Sequence, residues 1–306
     1  MDTDNTNNNI NMKNIIFQLE RLNHNIEKLI PKTHTLPDFK TCIACRWQPV
    51  SSTDGFLQAI TAPSIVEFEH LKGIERQKNE VIQNTLQFIN GFDANNILLT
   101  GSKGTGKSSL IKACLHKFSN HGLRAVEIDK EDLTALPFIL NQLRTLPDYY
   151  FMIYCDDLSF ETGDASYKSL KALLDGSLDA PPKNVLIYAS SNRRHLLPES
   201  MKDNLGTRIN ESGELHHSEA IEEKISLSER FGVWLTFYPF SQDDYLNIVR
   251  EWLLQLGGIN FEDNIRHDAL QYAIIRGSRS GRVAFQFAKN YVGRIKLDKY
   301  NQSINK

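Results

Sequence analysis

The residues best suited to chemistry fall in three short segments. Gly101, Ser102, Lys103, Gly104, Thr105, Gly106, Lys107 and Ser108 follow the spacing G-x-x-x-x-G-K-[ST] in full. That spacing suits a loop that wraps phosphate groups. Its glycines let backbone N–H groups turn inward, and the start of the next helix adds a favourable dipole. Lys107 is placed to reach β- and γ-phosphates and the Ser108 hydroxyl to hold Mg2+, with Ser109 grouped with the loop. The second segment, Phe151-Met152-Ile153-Tyr154-Cys155-Asp156-Asp157, is an apolar run that ends in two acids. A carboxylate at the end of a buried strand beside such a loop can hold Mg2+ through its water shell, which assigns Asp156 to the metal. Asp157 could orient or deprotonate an attacking water; the alternative is that it caps the loop before Leu158. In the third segment, Val185 to Asn192, an apolar run again has a polar end, and Asn192 could hydrogen-bond the γ-phosphate or the lytic water. A strand-end asparagine is usually a turn residue, so Asn192 gains weight only from following the two-acid segment.

Positioning these groups requires a regular alternation of elements, and the sequence carries one. Helices are expected at Glu75–Ile89, from Lys107, between Leu133 and Leu146 with Pro137 near its start, after Asp164, and at Ala220–Arg230. Strands are expected at Ile97–Thr100, Leu123–Ile128, Tyr150–Cys155, Val185–Ser190 and Trp234–Tyr238. Alternating β and α with all-apolar strands predicts an α/β fold, a three-layer αβα core with a parallel sheet covered on both faces. After Pro239 the strands stop. Ser241 is an N-cap with Asp243 and Asp244 in the first turn, and that helix ends at Gly257-Gly258. Two more helices, Asp263–Ile275 and Gly281–Ile295, complete a small all-α C-terminal lid domain.

The layout read from the chain is a tail rich in Asn at 1–12, a helix and irregular connector at 13–67, the αβ core at 68–239, the lid at 240–297 and a tail at 298–306. Ile15, Leu19, Leu22, Ile26 and Leu29 form a helical stripe closed by Pro31, suited either to packing on its own domain or to docking. The connector holds Cys42-x-x-Cys45, which reads as ordinary thiols because a metal site needs two more ligands. Pro198 to Glu219, with His216 and His217, is an irregular insertion suited to a partner or a pore rather than to a metal.

Composition excludes several classes. The net charge of −2 rules out a globally basic nucleic-acid coat, although a local patch remains open. The 41% hydrophobic and 24% charged residues rule out whole-chain disorder. No apolar run approaches the ~20 residues of a membrane helix, and the first residues do not resemble a signal peptide, so no membrane partner is expected. Four cysteines are too few for a disulfide framework, which makes a reducing cytoplasm the expected location. Arg276, Arg279, Arg282, Lys289, Arg294, Lys296 and Lys299 make the C-terminal run locally basic, either as a solvated helix or as a nucleic-acid surface.

Taken in order, these motifs resemble the AAA+ ATPases over about Phe68 to Ile295. The loop, the two-acid strand and Asn192 match Walker A, Walker B and sensor 1. Gly73-Ile74-Glu75-Arg76-Gln77 resembles the segment that contacts adenine, which assigns Gly73 and Ile74 to the nucleotide. Leu227-Ser228-Glu229-Arg230-Phe231-Gly232 resembles the arginine-finger segment, with Arg230 as the finger; the alternative is a salt bridge to Glu223 or Glu229. Gly277 to Ala284 resembles sensor 2 and points to Arg282, with Arg279 as the alternative. More narrowly, Cys155 to Phe160, Ser191 to Glu199 and Glu222 to Gly232 resemble a bacterial family of predicted ATPases known as domain of unknown function 815. One departure is Asp157, where AAA+ strands usually carry Glu.

The resemblance implies an ATP hydrolase that uses ATP and Mg2+ and assembles into an ATP-stabilised homo-oligomer, a ring or open helix. Arg230 would act on the neighbour's nucleotide, and a protein client or nucleic acid would be remodelled. Two other readings follow from the residues: a nucleotide-dependent switch or scaffold with little turnover, permitted by Asp157, and a small-molecule P-loop kinase, disfavoured by the separate lid and Arg230. Arg193, Arg194 and His195, just past Asn192, suit a phosphate, a neighbour or structural ion pairs.

Overall fold

The computed structural model describes residues 17–22, 35–51, 54–160, 164–175, 181–193, 196, 208–209, 215–216 and 227–304. Two units are distinguished, Met1–Leu36 and Pro37–Lys306. In the first, residues 17–22 are helical. They carry Leu19 and Leu22 of the expected stripe, whereas Ile15, Ile26 and Leu29 lie outside the described residues.

The second unit is built on a seven-stranded sheet. Its strands are β1 (Ala44–Pro49), β2 (Gly55–Ala59), β3 (Ile97–Gly101), β4 (Leu123–Glu127), β5 (Tyr150–Cys155), β6 (Val185–Ser191) and β9 (Val233–Phe237), in the spatial order β2-β1-β4-β5-β6-β3-β9. Only β2 runs antiparallel to its neighbour; every other pair is parallel. Two-residue strands β7 (Arg208–Ile209) and β8 (Leu215–His216) pair separately. The rest of the 198–219 insertion, including His217, and most of the helix expected at 220–230 lie outside the described residues.

The central strands read as unbroken apolar runs because both faces are covered. Ile97, Leu98 and Leu99 are fully buried, and Leu98 faces one core while its two neighbours face the other. Burial of each such leucine is worth roughly 1.5–3 kcal/mol. One face packs helices α1 (Glu75–Ile89) and α2 (Lys107–Phe118); the other packs α3 (Leu136–Arg144) and α4 (Ala165–Asp175). After β9 come only helices: α5 (Gln242–Gly257), α6 (Asp263–Ile275) and α7 (Gly281–Ile304). Ser241 caps α5 in a reciprocal capping box with Asp244. Tyr245, Val249, Ala269 and Ala288 of these helices belong to the same apolar cluster as α1 and α2. The α/β class, the parallel sheet and the helical C-terminal region are those expected of an AAA+ P-loop fold.

Two expectations need correction. The connector is not irregular, since β1 and β2 form there. Propensity hid them among Pro, Ser and Thr, and tertiary pairing creates them. Ala44 pairs with Ala125 of β4, and Cys45, Trp47 and Leu57 are buried against the α3 face. The last helix also runs past Ile295 to Ile304, because nothing between Lys296 and Ser303 breaks it. No helix among the described residues is long and apolar enough to cross a membrane.

Candidate functional site

The ends of β3, β5 and β6 lie side by side, as the crevice of an open α/β sheet requires. β3 delivers the phosphate-binding loop. Gly101 has φ +133° and its backbone lies so close to β9 that a Cβ would sit 2.0 Å from the Phe237 carbonyl oxygen. Gly104, at φ +76°, leaves room for the start of α7: a Cβ there would meet Ser280 at 2.9 Å. The Gly281 N–H donates to Gly104 O at 2.9 Å, so the start of α7 rests on the loop.

Lys107 opens α2 and is 5% exposed. Its Nζ donates to Gly101 O and Ser102 O, both at 2.8 Å, and to Asn192 Oδ1 at 3.0 Å. Burial lowers its pKa, and the charges of Arg282 and Lys103 act in the same direction against the opposing pull of Asp156 and Asp157. A phosphate chain arriving here would meet a cation already desolvated.

Asp156 follows β5, where the register pairing Cys155 with Ala189 brings Ser190 alongside it. Three donors converge on Asp156 Oδ1: Ser108 Oγ at 2.8 Å, the Asp157 N–H at 3.1 Å, and Ser190 Oγ. Burial opposes its ionisation, but these donors, together with the nearby Tyr154 hydroxyl, outweigh burial and hold the carboxyl below the usual carboxylate range. The Ser108 hydroxyl can donate to Asp156 and still offer a lone pair to a cation. Hard oxygens from one hydroxyl and one ionised carboxylate suit Mg2+, which keeps most of its water.

Asp157 is the only non-glycine residue with positive φ among the described residues, at +51°. Aspartate tolerates that region better than longer side chains do, which gives the Asp-for-Glu departure a backbone reason. Its Oδ1 accepts from Asn192 Nδ2 at 2.6 Å. Asn192 therefore links Lys107 to Asp157 across the gap between β3 and β5.

A cavity of about 580 Å³ joins these groups, with Ile74, Lys103, Gly104, Thr105, Gly106, Lys107, Ser108, Ser109, Asp156, Asp157, Asn192 and Arg282 on its wall. That size is within the range of small-ligand sites. Its apolar end is made by Val66, Ile74, Ile248 and an aromatic row, His70, Trp252 and Phe285, with ring centroids 5.4 Å and 4.7 Å apart. Flat apolar surface at one end and cationic phosphate donors at the other match a nucleotide's two halves.

Five expected residues lie elsewhere. Gly73 is beside the cavity, its N–H donating to Glu75 Oε1 at 3.2 Å. Gly101 serves from beneath the loop through its carbonyl. Ser102 and Arg279 line a neighbouring cavity on the other side of the loop. Arg230 does not reach this wall; its guanidinium pairs with Asp175 at the end of α4. Arg194, His195 and Glu223 lie outside the described residues. Sequence reading missed Ser190, His70, Trp252 and Phe285. Ser190, two residues before Asn192, was within reach of a strand-register argument; the aromatic row depends on how the C-terminal helices pack against the segment before α1.

The family model described as "Protein of unknown function (DUF815)" matches residues 40–295. No curated protein matches the sequence. Among solved structures the chain is similar to the Thermotoga maritima RuvB Holliday junction branch migration motor, at 15% identity and a TM-score of 0.48, covering 78% of this chain and 67% of that one. Two single-residue variants of that motor match at 14% identity, TM-score 0.48, over 76% of this chain and 66% of theirs. The chain thus spans about two thirds of the length of those structures. With its family model covering the sheet and most of the C-terminal helices, the chain belongs to the DUF815 family.

Proposed function

We propose that this protein binds ATP with Mg2+ in the cavity beneath α7 and hydrolyses it. The observation that carries the reading is the convergence of Lys107, Ser108, Asp156, Asp157, Asn192 and Arg282 on one wall. Backbone N–H groups of the loop and Lys107 bind the phosphates. Ser108 and Asp156 hold Mg2+, which supplies charge neutralisation of the phosphate oxygens when bound. Asn192 orients the water, and Asp157 accepts its proton as the water oxygen bonds the γ-phosphorus. The bond from that phosphorus to the bridging oxygen breaks, and ADP leaves with the electron pair. Phosphoryl transfer of this kind is mainly positioning and charge stabilisation. Arg282, on the lid, makes lid position sensitive to the γ-phosphate.

Arg230 lies outside its own chain's cavity, which fits a finger acting on a neighbouring subunit. An arginine supplied in trans is worth roughly 10³–10⁵ in rate. The oligomer is then a ring or open helix, a heterologous assembly, and its work is the remodelling of a protein or nucleic-acid partner. Four free thiols fit a reducing compartment, which we take to be the cytoplasm. We further take the αβ core and the lid as the two moving parts.

A specific contact favours a second reading, a nucleotide switch with little turnover. The Asp157 carboxylate is already occupied by Asn192, so the base is held in a resting position. Sedimentation of Asp157→Asn with ATP, with ADP and without nucleotide tests the assembly: a larger species only with ATP supports it, and one unchanged species argues against it. Steady-state phosphate release separates hydrolase from switch.

A further inference from the structure

We infer that Ser190 is a positioning residue for the Mg2+ site, fixing in advance the Asp156 carboxylate and the turn that carries Asp157. This rests on the reading of Ser108 and Asp156 as the Mg2+ corner. Ser190 is the next-to-last residue of β6 and is 2% exposed. It meets three consecutive residues after β5. Its hydroxyl donates to Asp156 Oδ1. The same oxygen lies 3.5 Å from the Asp157 N–H, a long contact that this N–H shares with Asp156 Oδ1 at 3.1 Å. The Ser190 carbonyl oxygen accepts the Leu158 N–H at 2.7 Å. A serine hydroxyl has one donor and two acceptor positions, so both side-chain contacts stand together.

Strand geometry explains why such a grip matters. Consecutive side chains of an extended strand point to opposite faces. Asp156 and Asp157 would therefore diverge if β5 simply continued. The left-handed φ of +51° at Asp157 breaks that alternation, and its carboxylate meets Asn192 Nδ2 at 2.6 Å. Ser190 and Asn192 are two residues apart, the spacing of one strand face. Ser191, between them, instead accepts the Arg193 N–H at 3.2 Å through its Oγ. Alternate residues at the end of β6 thus hold the two acids, Asp156 through Ser190 and Asp157 through Asn192. Alanine at position 190 would keep the backbone contact to Leu158 and lose the two made by the hydroxyl. A carboxylate whose orientation is already set has less freedom to lose when a cation's water shell arrives, which is how outer partners of metal ligands act.

The test is calorimetric binding of adenylyl imidodiphosphate to the full chain, in EDTA and in excess Mg2+, for wild type, Ser190→Ala and Ser190→Thr. Thermal unfolding of each apo protein accompanies it. Wild type is expected to bind more tightly with Mg2+ than in EDTA. Ser190→Ala should bind as wild type does in EDTA and lose about tenfold or more of the Mg2+-dependent gain. Ser190→Thr, which keeps the hydroxyl, should recover most of that gain. An unchanged Mg2+ gain in Ser190→Ala, beside a normal gain in wild type, overturns the role of Ser190 and leaves the Mg2+ corner intact. Equal losses in Ser190→Thr and Ser190→Ala also overturn it, since the hydroxyl is then not the cause. Weakened binding in EDTA or loss of cooperative unfolding in Ser190→Ala overturns it as well, since the serine would then serve the fold at large. Absence of any Mg2+ gain in wild type overturns the corner itself and this inference with it.

Discussion

The side-chain amide of Asn192 donates to Asp157 Oδ1 at 2.6 Å, and its carbonyl oxygen accepts from Lys107 at 3.0 Å. One asparagine thus ties the proposed base to the proposed phosphate ligand before nucleotide arrives. On the proposed reading, ATP would take Lys107 away from Asn192 and the loop carbonyls, and that exchange would free Asn192 to hold Asp157 against a water. Asn192→Ala should lower kcat about 10²-fold, the scale of losing one preorganised polar contact in a transition state. Asp157→Asn should lower it by roughly 10²–10⁴-fold. Both variants should retain ATP binding, measured by equilibrium titration.

The left-handed backbone at Asp157 makes a separate prediction. Asp157→Glu, which would restore the usual AAA+ residue, should lose up to about 1 kcal/mol of apo stability, because longer side chains tolerate positive φ poorly. A lower urea midpoint with an unchanged slope is the expected reading. An unchanged midpoint would mean that the backbone there relaxes freely.

Arg230 pairs with Asp175 in its own chain, so a role in trans requires that pair to open at the subunit boundary. Arg230→Ala should bind ATP as wild type does and lose most turnover. Lys107→Ala should bind ATP roughly 10- to 100-fold more weakly, the scale of a lost hydrogen bond to a charged group. Mixing the two inactive variants should restore part of the rate, since one subunit type retains a working site and the other a working arginine. No recovery at any ratio would place Arg230 outside the reaction.

Asp156 has a carboxyl held below the usual range by donated hydrogen bonds. A depressed folded pKa contributes stability that is complete above the unfolded value and is lost as pH falls through the folded one. The stability difference between wild type and Asp156→Asn should therefore be constant above about pH 5 and shrink toward about pH 3. Urea unfolding of both proteins across that window reads it directly.

Burial pushes Cys114 and Cys155 up to about 12 and raises Cys45 as well, whereas Cys42 is only partly buried. A disulfide reagent near neutral pH should titrate one thiol per native chain, at Cys42, and all four after unfolding.

Much of this site was legible in the sequence because its parts are local. A glycine-rich loop between an apolar strand and a helix, two acids after a second strand and an asparagine after a third each declare themselves within ten residues. The ends of neighbouring parallel strands then bring them together without further information. What was not legible depends on contacts distant in sequence. β1 and β2 exist because Ala44 and Cys45 pair with Ala125 and Val126, which no local propensity reports. Trp252 and His70 meet only because α5 packs beside the segment before α1. The Arg230–Asp175 pair joins residues from different elements.

The central claim is that this cavity hydrolyses ATP with Mg2+, and phosphate release tests it most directly. Wild-type protein at concentrations spanning assembly, with ATP and Mg2+, should release phosphate at a rate per subunit that rises with protein concentration. The signal should vanish in EDTA and in Lys107→Ala. Nucleotide binding without phosphate release at any concentration, or release that persists in Lys107→Ala, would contradict the account.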